Sequence, residues 1–199
     1  MHRTCALRRN ILLAFLGLGV ATASLAQSWP DKPIKLIVGF APGGFTDVLA
    51  RTIGQKLQDR LGQAVVVENK AGAAGTLGAD LVAKAKPDGY TLLLGHSNSN
   101  AVAPALYPKL PYDVVRDFTP IVRIASTPLL LTVHPSVAAT DVKSFIALAK
   151  SKPNGLAFAS SGSGSSQHMA AARFMLVTKT EMTHVPYKGS GQAIVDLLA

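Results

Sequence analysis

The segment from residue 34 to residue 61 constrains the fold of this chain more than any other stretch. Its apolar start, residues 34–38, has the length and β-branching of a buried strand. A turn rich in glycine and proline, residues 39–44, follows directly. Apolar residues then recur at every fourth position, as along one helical face: Leu49, Ile53, Leu57 and Leu61. Gly62 stands where a glycine commonly ends a helix, so the segment predicts a strand, a tight turn and a helix.

The turn at residues 39–44 has two interpretations. A glycine turn at a helix start presents unpaired N–H groups at the positive end of the helix dipole, which suits an anion. The same residues could form only a tight turn between two core elements. The spacing matches neither G-x-G-x-x-G nor G-x-x-x-x-G-K-[ST], so no nucleotide-binding fingerprint is present. This stretch alone leaves both interpretations open.

Strand and helix alternate three times in the first half of the chain. Further strands are predicted at residues 64–68 and 90–94, and a polar turn at residues 95–100 leads into a short helix at 101–106. Such alternation is typical of a parallel α/β sheet. In open sheets of this kind, ligands lie outside the carboxyl ends of the strands. We therefore expect the turns at 39–44 and 95–100 to share one edge.

The second half repeats the strand, turn and helix arrangement. Two apolar runs, residues 118–125 and 129–133, predict strands separated by a polar segment at 126–128 that we expect to be a hinge between two lobes. Thr140 is the predicted N-cap of the next helix. Three elements follow that helix: a strand at 156–159, a Ser/Gly loop at 160–167, and a helix from 168. Hydroxyl and N–H groups of such a loop can bind an anion without a formal positive charge.

The end of the chain completes this pattern. A strand at 182–185, a turn at 186–191 and a helix from about residue 192 are predicted, and the last residues continue that helix without a stop signal. The second lobe would then have few strands. We expect the sequence to be a fragment of a longer protein.

The first 26 residues have the features of a secretory signal peptide. Three arginines precede an apolar run at 11–20, and Ser24 and Ala26 supply small residues at the cleavage positions. A retained N-terminal anchor is the alternative. The sole cysteine, Cys5, lies within this segment, so the mature chain would have no disulfide and no thiol nucleophile. Export without cysteines is consistent with a bacterial periplasm.

Composition limits the class of protein. Hydrophobic residues make up 48% and charged residues 16% of the 199 residues, which allows a substantial core and is unlike a disordered chain. The formal net charge is +9, but the basic residues are scattered, with no Lys/Arg block. The sequence therefore carries no nucleic-acid-binding footprint.

Five motifs in order resemble the Bug (TctC-like) periplasmic solute receptors of tripartite tricarboxylate transporters. The motifs occupy residues 29–47, 67–75, 87–91, 160–168 and 184–189. The resemblance implies an α/β fold of the type II periplasmic binding protein class, with two lobes, a ligand cleft between them and an incomplete second lobe. We expect a signal peptide at 1–26, lobe 1 at 27–125 and a partial lobe 2 at 126–199.

The resemblance also implies the function. We expect an extracytoplasmic, periplasmic receptor that acts as a monomer, needs no cofactor and captures a small carboxylate-bearing ligand for membrane transporter subunits. Ligand contacts are expected from the first turn, the turn after the third strand, the Ser/Gly loop and a tyrosine near the cleft: Phe40, Ala41, Pro42, Gly43, Gly44, Phe45, Thr46, Asp47, His96, Ser97, Asn98, Ser161, Gly162, Ser163, Gly164, Ser165, Ser166, His168 and Tyr187. A receptor that feeds a signalling partner is an alternative.

A secreted hydrolase is the competing enzyme interpretation. The segment from Gly162 to Ser166 does not match G-x-S-x-G, because serine closes the pentad. Neither a paired-cysteine motif nor H-E-x-x-H is present, so no metal site is predicted. Asp47 could complement the helix dipole, or it could accept a hydrogen bond from an ammonium group or water. The three expected ligand turns contain no Lys or Arg, so N–H groups and hydroxyls would hold the anion.

Overall fold

The structure, a computed structural model, describes residues 28–199. The predicted signal peptide at residues 1–26, and Cys5 within it, lie outside the described residues. Residues 32–199 form one unit, to which the following description refers. Within residues 28–199, no helix has the length and apolar character needed to cross a bilayer.

A three-stranded parallel sheet forms the first lobe. Strand β1 (Ile34–Val38) is central, with β2 (Val65–Asn69) on one side and β3 (Thr91–Leu94) on the other. Leu36 pairs with Val67 and with Leu92. The side chains of β1 are almost all buried on both faces of the sheet, and a parallel strand covered on both faces requires an unbroken apolar sequence. The predicted parallel α/β arrangement is confirmed.

Helix α1 (Phe45–Leu61) covers one face of this sheet. It ends at Gly62, as predicted: Gly62 adopts φ 68°, and its N–H bonds to the carbonyl of Gln58. The predicted apolar stripe is only half-buried. The fully buried line is instead Asp47, Ala50 and Gly54, because small residues let the helix lie close to the sheet. A Cβ on Gly54 would lie 3.4 Å from the side chains of both Val65 and Val67.

Four short helical segments complete the first lobe. A 3-10 turn at Ala73–Gly75 leads into α2 (Thr76–Ala83). The helix predicted at 101–106 is in fact a π turn at Asn98–Val102 followed by α3 (Ala103–Leu106).

The strands predicted at 118–125 and 129–133 are wrong. Both runs lack regular secondary structure, and apolar side chains there are exposed: Ile121 is 79% and Leu130 is 81% accessible. A strand requires a neighbour for its hydrogen-bonding ladder, and no described residues pair with either run. An apolar composition alone does not show whether a neighbouring strand is available.

A two-stranded parallel sheet and three helices form the second lobe. Its strands are β4 (Ala157–Ser160) and β5 (Thr183–Pro186). Its helices are α4 (Val142–Ser151), α5 (Ser166–Thr178) and α6 (Ser190–Leu198). Helices α5 and α6 both begin two residues earlier than predicted. The lobe boundary at 125/126 and the hinge at 126–128 stay predictions.

Side-chain caps set where two of these helices begin. Asp141, not Thr140, caps α4 in a capping box with Ser144, whose N–H donates to the Asp141 carboxylate over 2.7 Å. Ser165 caps α5 by accepting from the N–H of His168. Because a serine at the N-cap satisfies a first-turn N–H, α5 starts directly after it.

Candidate functional site

A cavity of about 260 Å³ lies where the carboxyl ends of the two sheets face each other. This is the position expected for a ligand site in open parallel sheets. The cavity is smaller than a drug-sized pocket, so it suits a small molecule. Its lining comes from four segments and one tyrosine: Gly39, Phe40, Gly72, Ala73, Ala74, Gly75, Tyr107, Ser161, Gly162, Ser163, Pro186, Tyr187 and Lys188.

The first-lobe wall combines the end of β1 with the loop after β2. A Cβ on Gly39 would lie 2.7 Å from the Cα of Gly75, so this packing requires glycine. The loop residues Gly72, Ala73, Ala74 and Gly75 all have positive φ, and the two alanines lie at 45° and 53°. Left-handed alanine costs roughly 1–2 kcal/mol per residue. Such strain is often retained at ligand sites, and here it turns the loop towards the cavity.

The second-lobe wall comes from the ends of β4 and β5. Ser161 Oγ donates to Gln167 Oε1 over 2.8 Å, and the N–H of Tyr187 donates to the carbonyl of Ser160 over 3.0 Å. Tyr187 Oη donates to Asp196 over 2.6 Å, which ties the tyrosine to α6. These contacts hold the serine loop and the Tyr187 turn side by side.

The two walls meet at Gly162. This residue has φ 131°, and a Cβ there would lie 3.3 Å from the carbonyl oxygen of Tyr187 and 3.6 Å from the backbone nitrogen of Ala74. Tyr107 adds a further bridge, because its hydroxyl donates to the carbonyl of Ser163 over 3.3 Å. The cavity is therefore bounded by main chain that comes close from both lobes.

Two stacked histidines support the serine loop from behind. The rings of His168 and His184 have centroids 4.1 Å apart, and Phe158 stacks on His184 at 4.8 Å. The N–H of Gly164 donates to His168 Nδ1 over 3.1 Å, and Ser160 Oγ lies 2.7 Å from His184 Nε2. Burial and the neighbouring His168 lower the pKa of His184. His168 therefore supports the loop rather than lining the cavity.

Asp47 organises the first turn. Its buried carboxylate accepts from the N–H of Gly43, from Arg51 through Nε and Nη2, and from Asn69 Nδ2. The same Asn69 amide also donates to the carbonyl of Phe40 over 2.9 Å. Burial raises the pKa of Asp47, but the hydrogen bonds from Arg51, Gly43 and Asn69 outweigh it, so the pKa is lowered. Protein donors thus occupy this carboxylate, which lies in the first turn of α1 and does not line the cavity.

The rest of the first turn contacts the second lobe. The N–H of Ala41 donates to the carbonyl of Lys188 over 3.1 Å. A Cβ on Gly44 would lie 2.9 Å from Ser190 Oγ, so the start of α6 packs directly against the start of α1. Ala41 and Gly44 of this turn therefore contact the turn before α6 and the first residue of α6, and neither lines the cavity.

The turn after β3 also lies behind the cavity wall. The ring of His96 packs edge-on against Phe40 at 5.1 Å, and His96 Nδ1 accepts from the N–H of Asn98 over 3.2 Å. Burial lowers the pKa of His96, which favours the neutral ring that this hydrogen bond needs. Asn98 Oδ1 accepts from the N–H of Ser166 over 2.8 Å, and Ser97 is exposed. His96 thus buttresses Phe40, and Asn98 joins the lobes.

The structure places part of the predicted site on the cavity. Five predicted residues line it: Phe40, Ser161, Gly162, Ser163 and Tyr187. The other predicted residues do not line it: Ala41, Pro42, Gly43, Gly44, Phe45, Thr46, Asp47, His96, Ser97, Asn98, Gly164, Ser165, Ser166 and His168. Direct ligand contact by any of these residues stays a prediction.

The other lining residues are not among the predicted ligand contacts, although Gly39 lies in the turn at 39–44 for which anion binding is one interpretation. The residues concerned are Gly39, Gly72, Ala73, Ala74, Gly75, Tyr107, Pro186 and Lys188. The sequence does contain a feature that indicates the loop at 72–75: this loop follows β2, so it reaches the same edge of the sheet as the first turn. Among the described residues that line the cavity, Lys188 is the one with a charged side chain.

The site does not assemble a recognisable catalytic centre within residues 28–199. Ser160 lies beside His184, but it is only 2% exposed. No carboxylate among the described residues forms an ion pair with either stacked histidine. The described residues also contain no cluster of three or more potential metal ligands.

Comparison with known proteins identifies close similarity over most of the chain. Residues 49–199 match the sequence model of the TctC family, described as the tripartite tricarboxylate transporter family receptor. The chain is 44% identical over 193 residues to the protein BugT of Bordetella pertussis, covering 94% of this chain and 59% of BugT. It is 40% identical over 195 residues to a UPF0065 protein of a Pseudomonas species, covering 96% of this chain and 58% of that protein.

Solved structures show the same similarity. A structure described as a periplasmic transporter superposes with a TM-score of 0.83 at 44% identity, covering 85% of this chain and 57% of that one. The protein Rpa4515 of R. palustris, solved with adipate, superposes with a TM-score of 0.82 at 39% identity, covering 85% and 56%. MatC from Rhodopseudomonas palustris, solved with malate, gives 0.80 at 37% identity, covering 85% and 57%. The chain thus spans less than two thirds of the length of these relatives.

Proposed function

Because the chain belongs to the family of tripartite tricarboxylate transporter receptors, we propose that its cleft captures a small carboxylate-bearing ligand for a membrane transporter. Family members of this type are periplasmic solute-binding proteins with a mixed α/β fold. The two parallel sheets and the cavity between their carboxyl ends fit that architecture. The ligand class and the transporter partner are the proposed parts.

The observation that carries the proposal is the chemistry of the cavity wall. Main-chain segments at residues 72–75, immediately before α2, and at residues 161–163, in the loop that leads to α5, line it together with serine hydroxyls. The start of α2 favours negative charge by roughly 0.3–2 kcal/mol, and hydrogen bonds to a charged group contribute roughly 1.5–3 kcal/mol each. Several such contacts reach about −8 kcal/mol, or micromolar affinity, after association costs. Lys188 adds a positive charge to this wall.

The ligands of two relatives support a carboxylate. Rpa4515 was solved with adipate and MatC with malate, and both compounds are dicarboxylates. A cavity of about 260 Å³ is compatible with molecules of that size. Adipate and malate are therefore the first compounds to test.

Calorimetric titration provides the test. We expect adipate or malate to bind, and the uncharged analogue adipamide to bind at least tenfold more weakly, since the wall recognises negative charge. Replacing Ser161 and Ser163 together by alanine should weaken carboxylate binding by roughly 10-fold or more, from the loss of charge-assisted hydrogen bonds. Ser151→Ala is the matched control, because the Ser151 hydroxyl donates to the carbonyl of Leu148 within the same helix, α4. Equal binding of adipamide, or an unchanged affinity in the double variant, would refute the carboxylate assignment.

The proposal includes export to the periplasm and action as a monomer. Mass spectrometry of the secreted chain should find Gln27 at its N-terminus if residues 1–26 are removed as a signal peptide. A membrane-retained chain with its original N-terminus would contradict this part of the proposal. Light scattering should give the mass of one chain.

A further inference from the structure

Asn98 lies at the junction between the two lobes. It begins the π turn after β3 in the first lobe, and it is only 1% exposed. Its Oδ1 accepts from the N–H of Ser166, 68 residues further on, over 2.8 Å. Ser166 is the first residue of α5 in the second lobe. One side-chain oxygen of the first lobe therefore caps a helix of the second.

This contact occupies the place that an anion would take at the start of α5. The first N–H groups of a helix have no partner within the helix, and anions often bind them. Here Asn98 Oδ1 accepts a hydrogen bond from the N–H of Ser166, and Ser165 Oγ accepts one from the N–H of His168. The protein itself satisfies the start of α5, so the link between the lobes does not depend on a bound ligand.

The Nδ2 atom of the Asn98 side chain favours separation of the lobes. Among the described residues, Asn98 Nδ2 is one of the buried side-chain atoms without a hydrogen-bond partner. A buried unpaired donor raises the free energy of the state that buries it, and it would regain water when the lobes separate. One atom of the side chain therefore favours the closed arrangement while its neighbour favours opening.

The first lobe holds Asn98 in place. Its own N–H donates to His96 Nδ1 over 3.2 Å, and Tyr112 Oη donates to the adjacent carbonyl of Ser99 over 2.7 Å. The ring of His96 rests against Phe40 of the cavity wall. Separation of the lobes would therefore break the bond to Ser166 rather than carry Asn98 with the second lobe.

We propose that Asn98 is a positioning residue, a latch that sets the fraction of the protein that is closed before any ligand arrives. The proposal rests on the proposed function, because it assigns regulation of the same cleft. A ligand that binds only the closed state has an apparent affinity reduced by the fraction of protein in that state. Asn98 would thus tune affinity without contacting the ligand.

Amide hydrogen exchange and an interlobe distance, both measured without ligand, test the proposal on the full chain. Spin labels at Arg60→Cys on α1 and Lys150→Cys on α4, both exposed, in a Cys5→Ser background, report the distance. In the wild type we expect the Ser166 amide to be protected and one short distance to dominate. Asn98→Ala should reduce the closed-to-open ratio and the Ser166 protection by roughly 3- to 10-fold. Asn98→Asp, which keeps an acceptor oxygen and removes the unpaired donor, should restore both.

The controls separate a latch from a general packing role. Asn100→Ala, in the same turn, should change neither readout. A global loss of stability in Asn98→Ala would lower protection in α1 as well as at Ser166, while a latch affects Ser166 selectively. If the wild-type Ser166 amide exchanges freely, or if Asn98→Ala leaves the interlobe distance unchanged, the proposal is wrong. Since no ligand is present, failure to bind adipate or malate would refute the proposed function without affecting this result.

Discussion

Replacing Asp47 by alanine would remove the acceptor around which the first turn is built. The carboxylate is 4% exposed and accepts four hydrogen bonds, from Gly43, from Arg51 twice and from Asn69. Asn69 also holds the carbonyl of Phe40, a residue of the cavity wall. The substitution therefore tests whether a buried charge in α1 positions the wall.

The expected loss of stability depends on which of the four donors can hydrogen-bond to water after the substitution. Hydrogen bonds to a charged group contribute roughly 1.5–3 kcal/mol each, but they do not add fully. Arg51 has a side chain 54% exposed, so it would be largely rehydrated. The uncompensated loss is near that of one to two bonds, about 2–3 kcal/mol in the free energy of unfolding. For a chain of this size, about 2–4 °C per kcal/mol gives a fall in Tm of about 4–12 °C.

Thermal and urea unfolding of the wild type, Asp47→Ala and Asp59→Ala provide the assay. Asp59 is the matched control, because it is an exposed aspartate on the same helix that accepts, among the described residues, a hydrogen bond from Gln55 alone. Its replacement should change the free energy of unfolding by no more than about 0.5 kcal/mol. If Asp47→Ala is as stable as Asp59→Ala, the structural role assigned to Asp47 is wrong.

The effect of Asp47 also has a defined pH dependence. Its pKa in the folded protein is lowered from the ordinary 3.8, because its hydrogen bonds outweigh the effect of burial. A lowered carboxyl pKa contributes stability above the ordinary value, and this contribution is lost as the pH falls further. The difference between the wild type and Asp47→Ala should thus be constant between pH 5 and 7 and shrink below about pH 4. A difference that grows on acidification would contradict the assigned direction.

Three further predictions concern the second lobe. Burial and His168 lower the pKa of His184 below its ordinary 6.5, so the unfolded chain takes up the proton first. The contribution of His184 to the free energy of unfolding should therefore be complete above about pH 6.5 and be lost as the pH falls below that value. Urea titrations from pH 7 to 5 should show a shallower fall in the free energy of unfolding for His184→Gln than for the wild type. Equal slopes would contradict this prediction. Ser165→Ala removes the cap of α5 and should cost about 1 kcal/mol in urea unfolding, while a cost no greater than that of Ser151→Ala would contradict the capping role. Gly162→Ala places a Cβ at φ 131° and 3.3 Å from the carbonyl of Tyr187, so it should destabilise the protein by about 1–3 kcal/mol and abolish calorimetric adipate binding; wild-type binding would show that the wall tolerates a side chain there.

Local patterns in the sequence predicted much of the fold. The apolar run at Ile34–Val38, the glycine turn and the end of α1 at Gly62 were all confirmed. These features depend on residues within one or two turns of each other, so periodicity and glycine placement indicate them directly. The order of strands and helices then predicted parallel pairing, because parallel strands need a crossover between them.

The sequence patterns did not predict contacts between segments that are distant along the chain. The runs at 118–125 and 129–133 have strand-like composition, but a strand forms only where a neighbouring strand is available. Thr140 resembles an N-cap as well as Asp141 does, and the capping box with Ser144 decides between them. In both cases the residue type favoured a structure, but the hydrogen-bonding partner that this structure needs was not visible in the local sequence.

By itself, the sequence determined the α/β class, the family and the segments from which a ligand cleft would be built. Tertiary structure alone decided which atoms face that cleft. Asp47 and Asn98 direct side-chain oxygens at protein donors, Asn69 Nδ2 and the N–H of Ser166, while the loop at 72–75 and Lys188 reach its wall. The physical reason is that an oxygen leaves water at least cost where it finds a donor, and these two donors lie 22 and 68 residues away along the chain.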